Sequence, residues 1–352
     1  MRDLPKNWLV FRLSALGDVV LATGALRYWN ETRGWRFNVV TKEAFASVFD
    51  NHPAVDAVIV ATPHDLAAPG MYAWLTGLAV RHAGWGLLDL HGTARSRFLA
   101  LRWKGPVRRY AKLGLARRAF LLTGGRAYRD ALRATNVPQR YAMAVDSPPP
   151  DAEALVPELF LTERERAWGK SFLANLFPDD VLREASGAAV RPVAIHPFAA
   201  HPHKAWPETR YREVVARLDG RGIPWIVVGR GAAFFPGDPR DLTGKTTVRE
   251  SAALLAACSA LVTGDSGPMH LATAVGTPVI GLFGPTTGEW GFFPSGPRDR
   301  VLEKDLACRP CSLHGQTGCL RNGECLAQIG TDDVVAALEA VWSGNPDRED
   351  RS

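Results

Sequence analysis

VTGDSGPMHLATAVGTPVIGLFGPT, residues 262–286, reads as strand, tight turn, helix and strand in quick succession. An apolar run ends at Gly264, a helix is predicted from about Gly267–Pro268, and PVIGLFG follows as a second buried strand. A helix that starts straight after a strand has first-turn amides with no intrahelical acceptor, so the N–H groups of Ser266 and Gly267 are predicted to bind an anion. The helix dipole adds about 0.3–1 kcal/mol, and Gly267 allows a phosphate close to the backbone. Asp265, just before, is placed to accept hydrogen bonds from sugar hydroxyls. A plain βα turn with Ser266 as its cap and His270 in the core would read the same locally.

The same grammar extends outward. RPVAIHP, IPWIVVG and ALVTGD read as strands, alternating with helical patterns in PETRYREVVARLDGRG and VRESAALLAACS. Lys204, in HPFAAHPHKAWPETRY (196–211), sits in a loop of small and polar residues before a helix start, within reach of a phosphate or simply in solvent. The first half repeats the pattern with WLVFRL, FNVVTK, VDAVIV and GWGLLDLH as strands. SPPPDAEALVPEL (147–159) has four prolines and no periodicity, and is predicted to join two domains. The expectation is an α/β protein with domains at 1–146 and 161–345 and a linker at 147–160. Ligands of open α/β sheets bind at the carboxyl ends of the strands.

In FRLSALGDVV (11–20) the first strand meets a short loop holding one glycine, Gly17, followed by Asp18. An acid at that junction repels phosphate, so this turn is not predicted to bind nucleotide. Asp18 reads as a helix N-cap or as a functional carboxylate.

Composition narrows the class. A chain of 352 residues with 46% hydrophobic and 22% charged residues is that of a globular protein of two ordinary domains. Arg12 and Asp18 interrupt any signal-peptide core, so a cytoplasmic protein is expected. Ser266–Gly288 has no Asp, Glu, Lys or Arg, yet glycines and prolines break it, which favours buried α/β core over a membrane span. Residues 1–150 carry 21 Lys and Arg against 10 Asp and Glu, whereas the remainder carries 21 against 26. The first half is therefore expected to meet an anionic partner.

That charge peaks in residues 94–133, with twelve Lys and Arg and one acid. Arginines interleaved with Trp103, Phe98, Phe120 and leucines suit an anionic membrane face or acidic sugars, and also suit a nucleic-acid backbone or plain solvent. Arg95, in DLHGTARS at a predicted strand end, is the candidate contact for that anionic partner. Cys308, Cys311, Cys319 and Cys325 are spaced C-x2-C-x7-C-x5-C. Four thiols so close suit a structural zinc or iron knuckle, or equally a set of reduced thiols. Cys258, alone on an apolar helix, is expected in the core.

LSALGDVV near the N-terminus, HKAWPE in the middle and GDSGPMHLATAVGTPVIGLFGPT late in the chain together resemble glycosyltransferase family 9, the ADP-heptose:lipopolysaccharide heptosyltransferases. The likeness runs from about residue 8 to 340. It implies a GT-B fold, two Rossmann-like domains facing a cleft. It also implies inverting, metal-independent transfer of heptose from ADP-heptose to the lipopolysaccharide inner core, at the inner face of the cytoplasmic membrane. By position, the resemblance makes Asp18 the general base and places Lys204 and the Gly267 amide on the donor diphosphate. Asp265 falls on the heptose hydroxyls, with Ser266 in the same turn, and His270 in a supporting role. Two departures stand out. Phe198 replaces a glycine that many members have after the strand-end proline, and RGAAFFPGD offers no acid before Asp238 to hold the adenosine ribose.

Three other readings share features of this sequence. A GT-B nucleotide-sugar 2-epimerase would not need the basic acceptor half. A nucleic-acid-binding protein would use the basic half and the cysteines but leave the GDSG turn and Asp18 unexplained. Heptosyl transfer to a glycan or protein other than lipopolysaccharide would keep every feature.

Overall fold

The computed structural model describes residues 4–178, 181, 190–313, 315, 319 and 321–343. Among the described residues ten strands form two five-stranded sheets, and every pairing between the named strands is parallel. The first sheet holds β1 (Asn7–Phe11), β2 (Arg36–Lys42), β3 (Val55–Ala61), β4 (Gly86–Asp89) and β5 (Val107–Arg109), in the order β3-β2-β1-β4-β5. The second holds β6 (Val193–His196), β7 (Trp225–Val227), β8 (Ala260–Gly264), β9 (Val279–Phe283) and β10 (Arg300–Glu303), in the order β10-β9-β8-β6-β7.

Parallel neighbours require crossover connections, which here are largely helical, and strands covered on both faces read as unbroken apolar runs. β4, β6, β8 and β9 are buried at every residue. The edge strands β5 and β10 carry charge (VRR and RVLE) and are only partly covered, so no apolar run marks them in the sequence.

Each sheet has one place where the direction of strand addition reverses: between β1 and β4 in the first, and between β6 and β8 in the second. At such a switch point the loops leaving adjacent strands part, and the crevice at their carboxyl ends is where ligands of this architecture bind. Phe11 pairs with Asp89 at one, and His196 with Thr263 at the other.

The chain divides into two compact units, 1–114 with 135–160, and 115–134 with 161–352. This differs from the expected division in two respects. The proline-rich segment does not stand free. Glu158 N donates to Thr23 Oγ1 (3.0 Å), Arg27 Nη2 donates to the Ala154 carbonyl (3.1 Å), and a Cβ on Gly24 would lie 2.2 Å from the Leu155 oxygen. Gly24 is therefore the helix position where this segment lies against backbone. The other difference is the basic stretch, which is split. Residues 115–134 group with the second unit because Phe120 is buried edge-on against Trp290 (6.1 Å between ring centroids) and Arg117 donates to the Trp290 carbonyl (3.0 Å). Arg133 adds a bond to Glu289 (2.9 Å). A count of charge along the sequence cannot see such a return of the chain.

Candidate active site

At the first switch point β1 ends in Phe11 and the chain turns through Arg12–Ala15 into the helix Leu16–Arg33. Asp18 is not the N-cap that its place in the sequence suggested: Ala15 holds that position, and Asp18 is the third residue of the helix, where a negative charge is stabilised by the dipole. Its Oδ2 pairs with Arg12 Nη2 (2.6 Å) and accepts from the Ala15 N–H (3.4 Å). Its Oδ1 accepts from the Tyr141 hydroxyl (3.1 Å), a group 123 residues away in sequence. Asp18 thus does serve its helix, and it is also held by two side chains from other elements.

Arg12 is 4% exposed and donates through Nη1 to the Leu90 carbonyl (2.5 Å), tying the end of β1 to the end of β4. Burial opposes its charge, but Tyr141, Asp18 and Tyr110 outweigh this and raise its pKa above the ordinary arginine value. Burial pushes the Tyr141 phenol well above its usual value, with Asp18 adding to the shift, so the hydroxyl keeps its proton and donates. His91, just past β4, is pushed down to about 4 by burial and then by Arg12 and Lys112, and is neutral at pH 7. The turn carrying it is fixed by the buried Asp89, whose Oδ1 accepts from the His91 and Gly92 amides (3.1 and 2.7 Å). Arg95, near the start of the helix Ala94–Arg102, is exposed, with Nε 3.3 Å from Met71 Sδ.

At the second switch point the structure brings together most of the residues singled out in the GDSG block. The helix Gly267–Ala274 begins with Ser266 as its N-cap, but the Ser266 side chain makes no capping bond. It turns instead to Thr263 Oγ1 (3.0 Å) and His196 Nδ1 (3.3 Å). The Gly267 and Met269 amides of the first turn therefore lack a side-chain cap, which is the arrangement that receives an anion. Burial pushes His196 down to about 4, so it is a neutral imidazole bonding the Thr263 and Ser266 hydroxyls.

Beside this turn Lys204 Nζ pairs with Asp265 Oδ2 (2.5 Å), both side chains being about 85% covered. Thr286 Oγ1 donates to the same Asp265 oxygen (2.9 Å). The lysine's stem is walled by Gly315, where a Cβ would lie 2.5 Å from Lys204 Cγ. The cysteine-rich segment therefore reaches this site at Gly315. His270 is buried, its ring 6.4 Å from that of Phe292, which is a packing position. Phe198 packs on the turn after β7, where a Cβ on Gly231 would come within 2.7 Å of its ring. Asp238, the first acid beyond β7, is engaged by Arg240 (2.8 Å).

No disulfide joins the described cysteines. Burial raises the pKa of the Cys311 thiol, with Cys308, Cys319 and Cys325 adding to the shift. Among the described residues no group of three or more His, Cys, Asp or Glu is disposed to hold a metal ion. Cys258 is buried in the core, its thiol pushed up to about 12. No helix among the described residues is long and apolar enough to cross a membrane.

Sequence reasoning missed Arg12, Tyr141, His196, Thr263 and Thr286. His196 had the one available signal, a histidine closing an apolar strand just before the Lys204 loop. Tyr141 had none.

Two Rossmann-like units, each a parallel five-stranded sheet with a single switch point, make this a GT-B fold. The sequence model of glycosyltransferase family 9 (heptosyltransferase) matches residues 86–317, and the chain belongs to that family. A lipooligosaccharide heptosyltransferase 2 of Campylobacter jejuni is 30% identical over 106 residues, 29% of this chain and 32% of that protein. The match thus spans about a third of the length of that curated relative. Among solved structures, a family 9 glycosyltransferase from Veillonella parvula superposes with a TM-score of 0.74 at 19% identity, covering 98% of this chain and 99% of that one. The E. coli ADP-heptose LPS heptosyltransferase II follows at 0.69 and 20%, covering 96% and 99%. At these identities the two structures speak for the fold alone.

Proposed function

We propose that this chain transfers heptose from ADP-heptose to a lipopolysaccharide inner-core acceptor, with inversion at the anomeric carbon and without a catalytic metal. Asp18 takes the proton of the acceptor hydroxyl as that oxygen bonds to the anomeric carbon. The bond from that carbon to the diphosphate oxygen breaks with its electron pair, which leaves on ADP. The leaving charge is met by Lys204 and by the Ser266 and Gly267 amides, while Asp265 accepts from heptose hydroxyls. Arg95 contacts the anionic acceptor.

The observation that carries this reading is the Lys204–Asp265 pair beside the helix start that Ser266 leaves uncapped. Asp265 holds Lys204 beside the anion site at 2.5 Å, and when the ammonium turns to a diphosphate, Thr286 and the heptose hydroxyls remain to donate to the carboxylate. The names of the relatives, heptosyltransferases of lipooligosaccharide and lipopolysaccharide, support heptose and its acceptor. Because the chain supplies the cationic groups, ADP-heptose is expected to bind with the same affinity in EDTA as in magnesium. Titration calorimetry tests this, and binding that requires the divalent cation contradicts the metal-free reading. The four thiols carry no step.

The same reading makes the protein peripheral at an anionic membrane. Leu115 and Leu122 lie two turns apart on the helix Gly114–Thr123, each 84% exposed, with Arg118 and Arg126 exposed nearby. Exposed leucines among arginines suit the headgroup boundary of acidic lipid. Flotation with phosphatidylglycerol vesicles is expected to carry the wild type up and to leave most of a Leu115→Ser/Leu122→Ser variant behind. Equal flotation of both proteins would remove these leucines from the reading.

A further inference from the structure

We infer that Tyr141 is a positioning residue for the base, its phenol fixing the Asp18 carboxylate in the orientation that receives the acceptor's proton. The inference rests on the assignment of Asp18 made above. A carboxylate has about four lone-pair directions. Arg12 and the Ala15 amide occupy Oδ2, and Tyr141 gives Oδ1 one hydrogen bond, leaving that oxygen acceptor capacity. The Asp18 side chain is 24% exposed, whereas Tyr141 is fully buried. The tyrosine therefore approaches from the protein side and turns the carboxylate without covering it.

Its own position is fixed independently of Asp18. The helix Val137–Ala142 starts in a reciprocal capping box, with Gln139 N donating to Asn136 Oδ1 (2.9 Å) and Asn136 N to Gln139 Oε1 (3.0 Å). The Tyr141 ring stands edge-on to Tyr110 (5.0 Å) and under the Arg12 guanidinium (5.7 Å). A rigid donor on a capped helix, aimed at a carboxylate on another element, restricts rotation about the Asp18 side chain. A small misplacement of a reacting group costs up to about 10²-fold in rate.

The test is a double-mutant cycle on turnover of ADP-heptose and Kdo-lipid A, using Tyr141→Phe, Asp18→Asn and the double variant. Tyr141→Phe keeps the buried ring and removes only the hydroxyl. It is expected to lower kcat by about 10- to 100-fold with KM for both substrates unchanged. In the Asp18→Asn background the same change is expected to alter the residual rate by less than about twofold, because no carboxylate remains to be positioned. An equal loss in both backgrounds would show that Tyr141 acts through packing, overturning the inference while leaving the base assignment intact. A Tyr141→Phe kcat within about twofold of wild type overturns it as well. If Asp18→Asn itself turns over within about threefold of wild type, the base assignment falls and the positioning role with it.

Discussion

Asp18→Asn is expected to lower kcat for heptosyl transfer by about three orders of magnitude while ADP binding is retained. The substitution keeps the shape of the side chain and removes the charge. Without a carboxylate the acceptor hydroxyl must attack with its proton still attached, and general-base assistance of this kind is worth about 10²–10⁴-fold. The change also has a structural cost. Arg12 is almost fully buried, and the carboxylate is its partner at 2.6 Å. Removing one member of a buried ion pair leaves the other uncompensated, so the midpoint of thermal unfolding is expected to fall too. The two effects separate when turnover is measured well below the variant's unfolding midpoint, where the unit holding Arg12 and Asp18 is still folded. Turnover close to wild type with a lowered unfolding midpoint would make Asp18 the counter-ion of Arg12 and a helix-stabilising acid, nothing more.

The second large effect is expected at Lys204. Lys204→Met keeps the apolar stem that lies against Gly315 and removes the ammonium group. Loss of one preorganised group at the leaving diphosphate is expected to lower kcat/KM for ADP-heptose by about 10²–10³-fold. Part of that loss has a separate origin. With its cation gone, Asp265 remains as a mostly covered carboxylate beside the anion site and repels the diphosphate. The double variant Lys204→Met/Asp265→Asn removes this repulsion. It is therefore expected to bind ADP more tightly than Lys204→Met alone, without recovering the rate. Steady-state kinetics together with ADP titration check both parts. A Lys204→Met enzyme with unchanged kcat/KM would reduce the pair to a support for the β8 turn.

Much of the architecture could be read from the sequence because buried parallel strands are apolar along their whole length. VAIH, ALVTG and VIGLF have no solvent-facing residue to break the pattern. β5 and β10 escaped because an edge strand of charged residues looks like a loop. The separation of residues 115–134 from the first unit escaped for another reason. It depends on Phe120 meeting Trp290, 170 positions later, and no local property of either residue announces that contact.

The candidate site was legible to the extent that its chemistry is local. Strand, turn and helix start fall within a few residues in the GDSG block, so Ser266 and Gly267 could be placed from spacing alone. The environment of Asp18 could not. Arg12 reads in the sequence as an interruption of an apolar run, and Tyr141 as one aromatic among many. Only the packing of a helix 123 residues downstream shows that the carboxylate is gripped at both oxygens. The cysteines stayed ambiguous between a metal knuckle and reduced thiols, because close spacing alone does not set the tetrahedral directions a metal requires.

The most direct test of the central claim is mass spectrometry of Kdo-lipid A after incubation with the purified protein and ADP-heptose, with ADP measured in the same sample. The predicted result is an acceptor heavier by one heptosyl residue, ADP released in equal amount, and neither product from the Asp18→Asn protein. An acceptor that stays unchanged while ADP-heptose binds and is not consumed would contradict heptosyl transfer to this acceptor.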